Sequence, residues 1–123
     1  MASILIVDDE PSITIVVGAL LAENNHDVTR VVDGQEAKDL IDSDKGFDLA
    51  VFDIRMKPID GMELLAHAHT KRPALKVMML SAYYSDDIVR KATDLGAVAC
   101  IAKPFAVEEF IETVEAQLAS PKI

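Results

Sequence analysis

Cysteine occurs once in 123 residues, basic residues are outnumbered, and no long apolar run is present. A lone cysteine cannot form an intrachain disulfide, so the fold must hold by its core. Cys100, set in an apolar stretch, reads as a small buried hydrophobe in a reducing compartment, by default the cytoplasm. Twelve Lys and Arg against 21 Asp and Glu leave a formal net charge of -9. That balance disfavours direct nucleic-acid binding and attachment to an anionic membrane. No stretch approaches the roughly 18 apolar residues of a membrane span, and the opening "MASILIVDD" lacks the basic n-region of a signal peptide. Linkers, low-complexity tracts and sequence repeats are also missing. What remains is a mixed composition, half of it hydrophobic, with enough length for one core. The expectation is a single domain over residues 1–123, with any output module elsewhere.

Short apolar runs alternate with segments of helical period. Residues 3–7, 27–32, 48–52, 76–80 and 98–102 are mostly β-branched or aliphatic and predict five strands covered on both faces. Ile13, Val16, Val17, Leu20 and Leu21 follow i, i+3, i+4, i+7, i+8 and predict a helix with one apolar stripe. Val107, Phe110, Ile111, Val114 and Leu118 repeat that pattern, and shorter versions fall on Ala37, Leu40 and Ile41, on Met62, Leu65 and Ala66, and on Ile88, Val89, Ala92 and Leu95. Pro11 suits a first helical turn, Asp60 a cap before Gly61, and Gly96 a helix end, while Pro121 closes the last helix. Five strand–helix repeats imply a doubly wound parallel sheet whose strand C-termini share one edge, where ligands bind.

Asp8, Asp9, Asp53, Ser81 and Lys103 all stand at or just past the ends of expected strands. Each alone has an ordinary explanation: acids suit a first helical turn, and an Asp suits a loop. Together they define a chemistry. Three crowded carboxylates repel unless one is protonated or a cation joins them, and hard oxygen ligands suit Mg2+. Lys103 adds a fixed positive charge and Ser81 a hydroxyl, which completes a pocket for a phosphoryl dianion. Asp53 could then act as a nucleophile that forms an acyl phosphate.

The stretches "ILIVDDEPS", "VFDIRMKPIDG", "VMMLSAYYSDD" and "CIAKPF" resemble, in order and over essentially the whole chain, the four signatures of the receiver domain of two-component response regulators. The resemblance implies a flavodoxin-like (βα)5 fold with strand order 2-1-3-4-5 and a cis peptide between Lys103 and Pro104. It implies that Asp53 is the phosphoacceptor, that Asp8, Asp9, Asp53 and the Arg55 backbone carbonyl hold Mg2+, and that Ser81 and Lys103 engage the phosphoryl group. The donor would be a sensor histidine kinase or a histidine phosphotransfer protein. The chain would be a switch with self-catalysed phosphorylation and dephosphorylation, not an enzyme acting on a separate substrate.

Several positions depart from the family pattern. Cys100 occupies the place of the usual switching aromatic, so movement of Ser81 is expected to pass through Tyr83 or Tyr84 and the fourth helix. The proline of "MKPIDG" falls one place later than in many relatives, and Lys57 adds charge nearby. Arg55 and Tyr83, each two residues beyond a site residue, stand where relatives tune acyl-phosphate lifetime; their bulk predicts slow hydrolysis. Val98 and Ala99 replace an acidic pair that many DNA-binding relatives use in a dimer face. Ile15 and Ala19 fall outside the stripe of the first helix, and Ile15 is a candidate contact for a phosphodonor helix. His67 and His69 point to different faces, a poor metal geometry.

The competing functions are a phosphorelay intermediate that passes the group to another histidine and a receiver fragment of a longer transcriptional regulator. An aspartate-nucleophile phosphatase would place two acids two residues apart after the first strand, whereas Asp8 and Asp9 are adjacent. A flavin-binding domain would want a hydroxyl- and glycine-rich loop where "DDEPS" would repel a phosphate.

Overall fold

The computed structural model describes residues 2–57 and 59–120. Strands and helices alternate without interruption: β1 (Ser3–Val7), α1 (Pro11–Glu23), β2 (Asp27–Val31), α2 (Gly34–Asp42), β3 (Leu49–Asp53), α3 (Gly61–Lys71), β4 (Lys76–Ser81), α4 (Asp86–Asp94), β5 (Ala99–Ala102) and α5 (Val107–Ala119). All pairings are parallel, in the order β2-β1-β3-β4-β5. The reversal falls beside β1, between the strands that end at Val7 and Asp53.

The central strands explain their own composition. β3 and β4 are buried along their whole length, so apolar residues pointing both ways meet a helix layer on either face. One layer packs Leu5, Val7, Phe52 and Met79 against α2, α3 and α4; the other packs Ile4, Ile6, Val51 and Leu80 against Val17, Phe110 and Val114 of α1 and α5. The expectation of two covered faces fails at the edges. β2 is exposed at Asp27 and Arg30, and β5 buries only Ile101 fully, because an edge strand has a neighbour on one side only.

Three helix stripes also differ from the sequence expectation. On α1 the buried residues are Thr14, Val17, Gly18 and Leu21, whereas Val16 is 54% exposed and Leu20 is half-buried. The hydroxyl of Thr14 satisfies itself on the Pro11 carbonyl (2.9 Å), and Gly18 lets β2 approach, so apolarity alone misjudged which face turns inward. Val107, the first residue of α5, is likewise 48% exposed. Leu64 and Ala68 of α3 are fully buried beside Leu65, a wider stripe than the sequence period indicated.

The expected punctuation is present. Pro11 opens α1, the Asp60 carboxylate accepts from the Glu63 amide (2.8 Å) to cap α3, and Gly96 follows α4 with φ +107°. Pro121 lies outside the described residues. Gly61 has a further role: its amide donates to the Ile54 carbonyl at 2.7 Å, and a Cβ there would lie 2.0 Å from the Asp53 carbonyl oxygen. Only glycine lets α3 begin this close to the end of β3.

Candidate functional site

The strand ends bring three carboxylates together. One ligand oxygen from each of Asp8, Asp9 and Asp53 lies within 4.8 Å of the others. Asp8 and Asp53 are buried and Asp9 is exposed, so the cluster opens to solvent on the Asp9 side. Asp8 is held from two directions: its Oδ1 accepts from the Glu10 amide at 3.0 Å, and its Oδ2 from Lys103 Nζ at 2.7 Å. The same ammonium lies 2.9 Å from Asp53 Oδ1, so Lys103 bridges two acids from different strands. Its own position is fixed by its backbone amide, which donates to the Ser81 carbonyl (2.8 Å), and the Lys103–Pro104 peptide is cis.

These charges oppose one another. Burial pushes the Asp53 carboxyl above its usual value; the Lys103 hydrogen bond works against that, and the negative charge of Asp8 reinforces it. Burial also disfavours the Lys103 ammonium, but its hydrogen bonds to Asp8 and Asp53 outweigh that penalty and raise its pKa. Lys103 therefore stays charged at neutral pH. One ammonium against three acids leaves an excess of negative charge, and hard carboxylate oxygens at this spacing suit a small divalent cation.

Ser81 is buried at the end of β4, and its Oγ accepts from the Tyr83 amide at 3.0 Å. That contact leaves the hydroxyl proton free to serve another acceptor. Arg55 and Tyr83 come together: the guanidinium carbon lies 4.1 Å from the centre of the ring. The sequence puts both beside the site, but their contact arises only because β3 and β4 pair and bring the two following segments together. Cys100 is half-buried, not buried, and burial raises its thiol pKa, so it is held as a thiol. Ile15 is 54% exposed on α1 beside Val16. The histidines have structural partners: His26 Nε2 meets Glu115 at 2.7 Å, His67 Nε2 meets Asp42 at 2.7 Å, and the His69 ring covers Gly96.

The fold and this cluster coincide with a known pattern: the profile described as "Response regulator receiver domain" matches residues 4–115. The chain belongs to the response regulator receiver domain family. Among similar proteins, the transcriptional regulatory protein PdtaR of Mycobacterium tuberculosis is 33% identical over 113 residues, which cover 91% of this chain and 54% of that protein. The chain thus spans about half the length of that relative. Sporulation initiation phosphotransferase F of Bacillus subtilis is 28% identical over 94% of this chain and 92% of its own length. A receiver domain protein (CheY-like) from Methanospirillum hungatei superposes with a TM-score of 0.90 at 31% identity, covering 96% of this chain and 94% of that one. No helix among the described residues of this receiver domain is long and apolar enough to cross a membrane.

Proposed function

We propose that this receiver domain accepts a phosphoryl group on Asp53, with Mg2+ held by Asp8, Asp9, Asp53 and the backbone carbonyl of Arg55. The observation that carries this reading is the Lys103 ammonium, 2.7 Å from Asp8 and 2.9 Å from Asp53 beside a cluster of three acids. When bound, the cation neutralises the carboxylates and the oxygens of the transferring group. The buried Asp53 Oδ attacks phosphorus, the P–N bond of a donor phosphohistidine breaks, the imidazole keeps the electron pair, and an acyl phosphate forms. Lys103 and the Ser81 hydroxyl then hold phosphoryl oxygens, Lys103 as a charge-assisted donor.

The partner class is a sensor histidine kinase or a histidine phosphotransfer protein in the cytoplasm, and the exposed Ile15 beside Val16 offers its helix an apolar contact. Residues 1–123 act as one receiver unit, with no direct nucleic-acid binding. The output passes from Ser81 through the exposed Tyr83 and Tyr84 to α4, because Cys100 has too little volume to act by rotation. Arg55 and Tyr83 shield the acyl phosphate from water.

Intact mass after incubation with acetyl phosphate and Mg2+ tests this reading. One phosphoryl adduct that is lost in Asp53→Ala and in chelator supports it; an adduct that survives Asp53→Ala rejects it. A second reading is a relay intermediate, favoured by the near full-length match to a sporulation phosphotransferase. Transfer of the group from the phosphorylated chain onto a histidine phosphotransfer protein separates the two.

A further inference from the structure

Beside the carboxylate cluster, the segment after β3 and the helices α3 and α4 border an open cleft of ≈ 470 Å³. Its floor is apolar, formed by the buried Ile54, Met56 and Met62 with the half-buried Ile88. Lys57 and Lys91, both exposed, reach it from two different elements, and among the described residues neither has an ion-pair partner. The other charged groups on the cleft are committed. Asp60 caps α3, Asp9 belongs to the carboxylate cluster, and the Arg55 guanidinium stacks on Tyr83.

We propose that this cleft binds a small amphiphilic anion: an apolar or aromatic body bearing one phosphate, sulfonate or carboxylate group. The volume falls in the range of small-molecule sites, roughly 300–1,000 Å³, which pair an apolar lining with a few polar groups. Two thioethers on the floor adapt to a flat apolar body, and the free ammonium groups of Lys57 and Lys91 supply charge-assisted donors to its anionic end. The net charge of -9 argues against an acidic peptide, whose many carboxylates would be repelled along the whole surface, while a ligand with a single anionic group seated at two lysines escapes most of that repulsion. The site needs no modification of Asp53, so the proposal stands independently of the phosphoacceptor reading.

The test uses 8-anilinonaphthalene-1-sulfonate as the probe, titrated by fluorescence, with methyl NMR of the methionines as the map. Saturable one-to-one binding is expected, with shifts at Met56 and Met62 and none at Met78, which is fully buried in the opposite layer. The exposed double variant Lys57→Glu/Lys91→Glu should weaken binding about tenfold, and Lys57→Arg/Lys91→Arg should preserve it. Binding that fails to saturate, leaves Met56 and Met62 unshifted, or keeps its affinity in the charge-reversed variant overturns the proposal.

Discussion

The Arg55 guanidinium lies 4.1 Å from the centre of the Tyr83 ring, joining the segment that follows Asp53 to the segment that follows Ser81. An exposed cation–π contact contributes about 0.5–1 kcal/mol. If the pair shields the acyl phosphate, Tyr83→Ala and Arg55→Ala should each hasten its loss about fivefold, and the double variant should add little to either. Intact mass followed over time measures this. Loss within seconds from the unaltered chain, or variants that match it, would reject the shielding role.

The raised Asp53 carboxyl links protonation to stability. The fold binds this proton more tightly than the unfolded chain does, so the contribution of this one group to stability is greatest below the ordinary value of 3.8 and is lost as pH rises through the higher folded value. Asp53→Asn removes that penalty. It should raise the denaturation midpoint at pH 7 by about 4 °C, with no gain at pH 3. A larger gain at pH 3 than at pH 7 would mean the sign is wrong.

Gly61→Ala tests how α3 is set against β3. A Cβ would lie 2.0 Å from the Asp53 carbonyl oxygen and 2.6 Å from the Ile54 Cα, and backbone atoms cannot swing aside. A cost of about 2–4 kcal/mol is expected in denaturant titration, and, if Asp53 is the acceptor as proposed, weaker phosphoryl acceptance because Asp53 is displaced. An unchanged midpoint would show that the helix start can shift freely.

Asp9 is the exposed member of the acid cluster, so its removal should affect the proposed cation site more than the fold. Asp9→Asn should weaken Mg2+ binding about tenfold and shift thermal stability by less than about 1 kcal/mol. Calorimetric titration with Mg2+ reads the first and a melting curve the second. Equal Mg2+ affinity in the variant would exclude Asp9 as a ligand.

Much of this architecture was legible along the chain. Five aliphatic runs separated by helical periods admit few arrangements other than a parallel, doubly covered sheet, and strand ends on one edge bring Asp8, Asp9, Asp53, Ser81 and Lys103 into one neighbourhood. Local chemistry also marked Pro11, Asp60 and Gly96, because caps and left-handed turns depend on single residues. The faces of α1 and α5 were less legible: Thr14 and Gly18 go inward and Val16 and Val107 outward, since the adjoining surfaces decide burial and hydropathy alone does not.

Sequence by itself thus determined the elements, their order and the candidate reactive residues, all of which follow from short-range period and capping. Tertiary structure alone decided that one ammonium bridges Asp8 and Asp53, that Arg55 stacks on Tyr83, and that Lys57 and Lys91 face a common apolar cleft. The physical reason is distance along the chain. Each of these contacts joins residues from separate elements, and only the packing of helices on the sheet sets their separation.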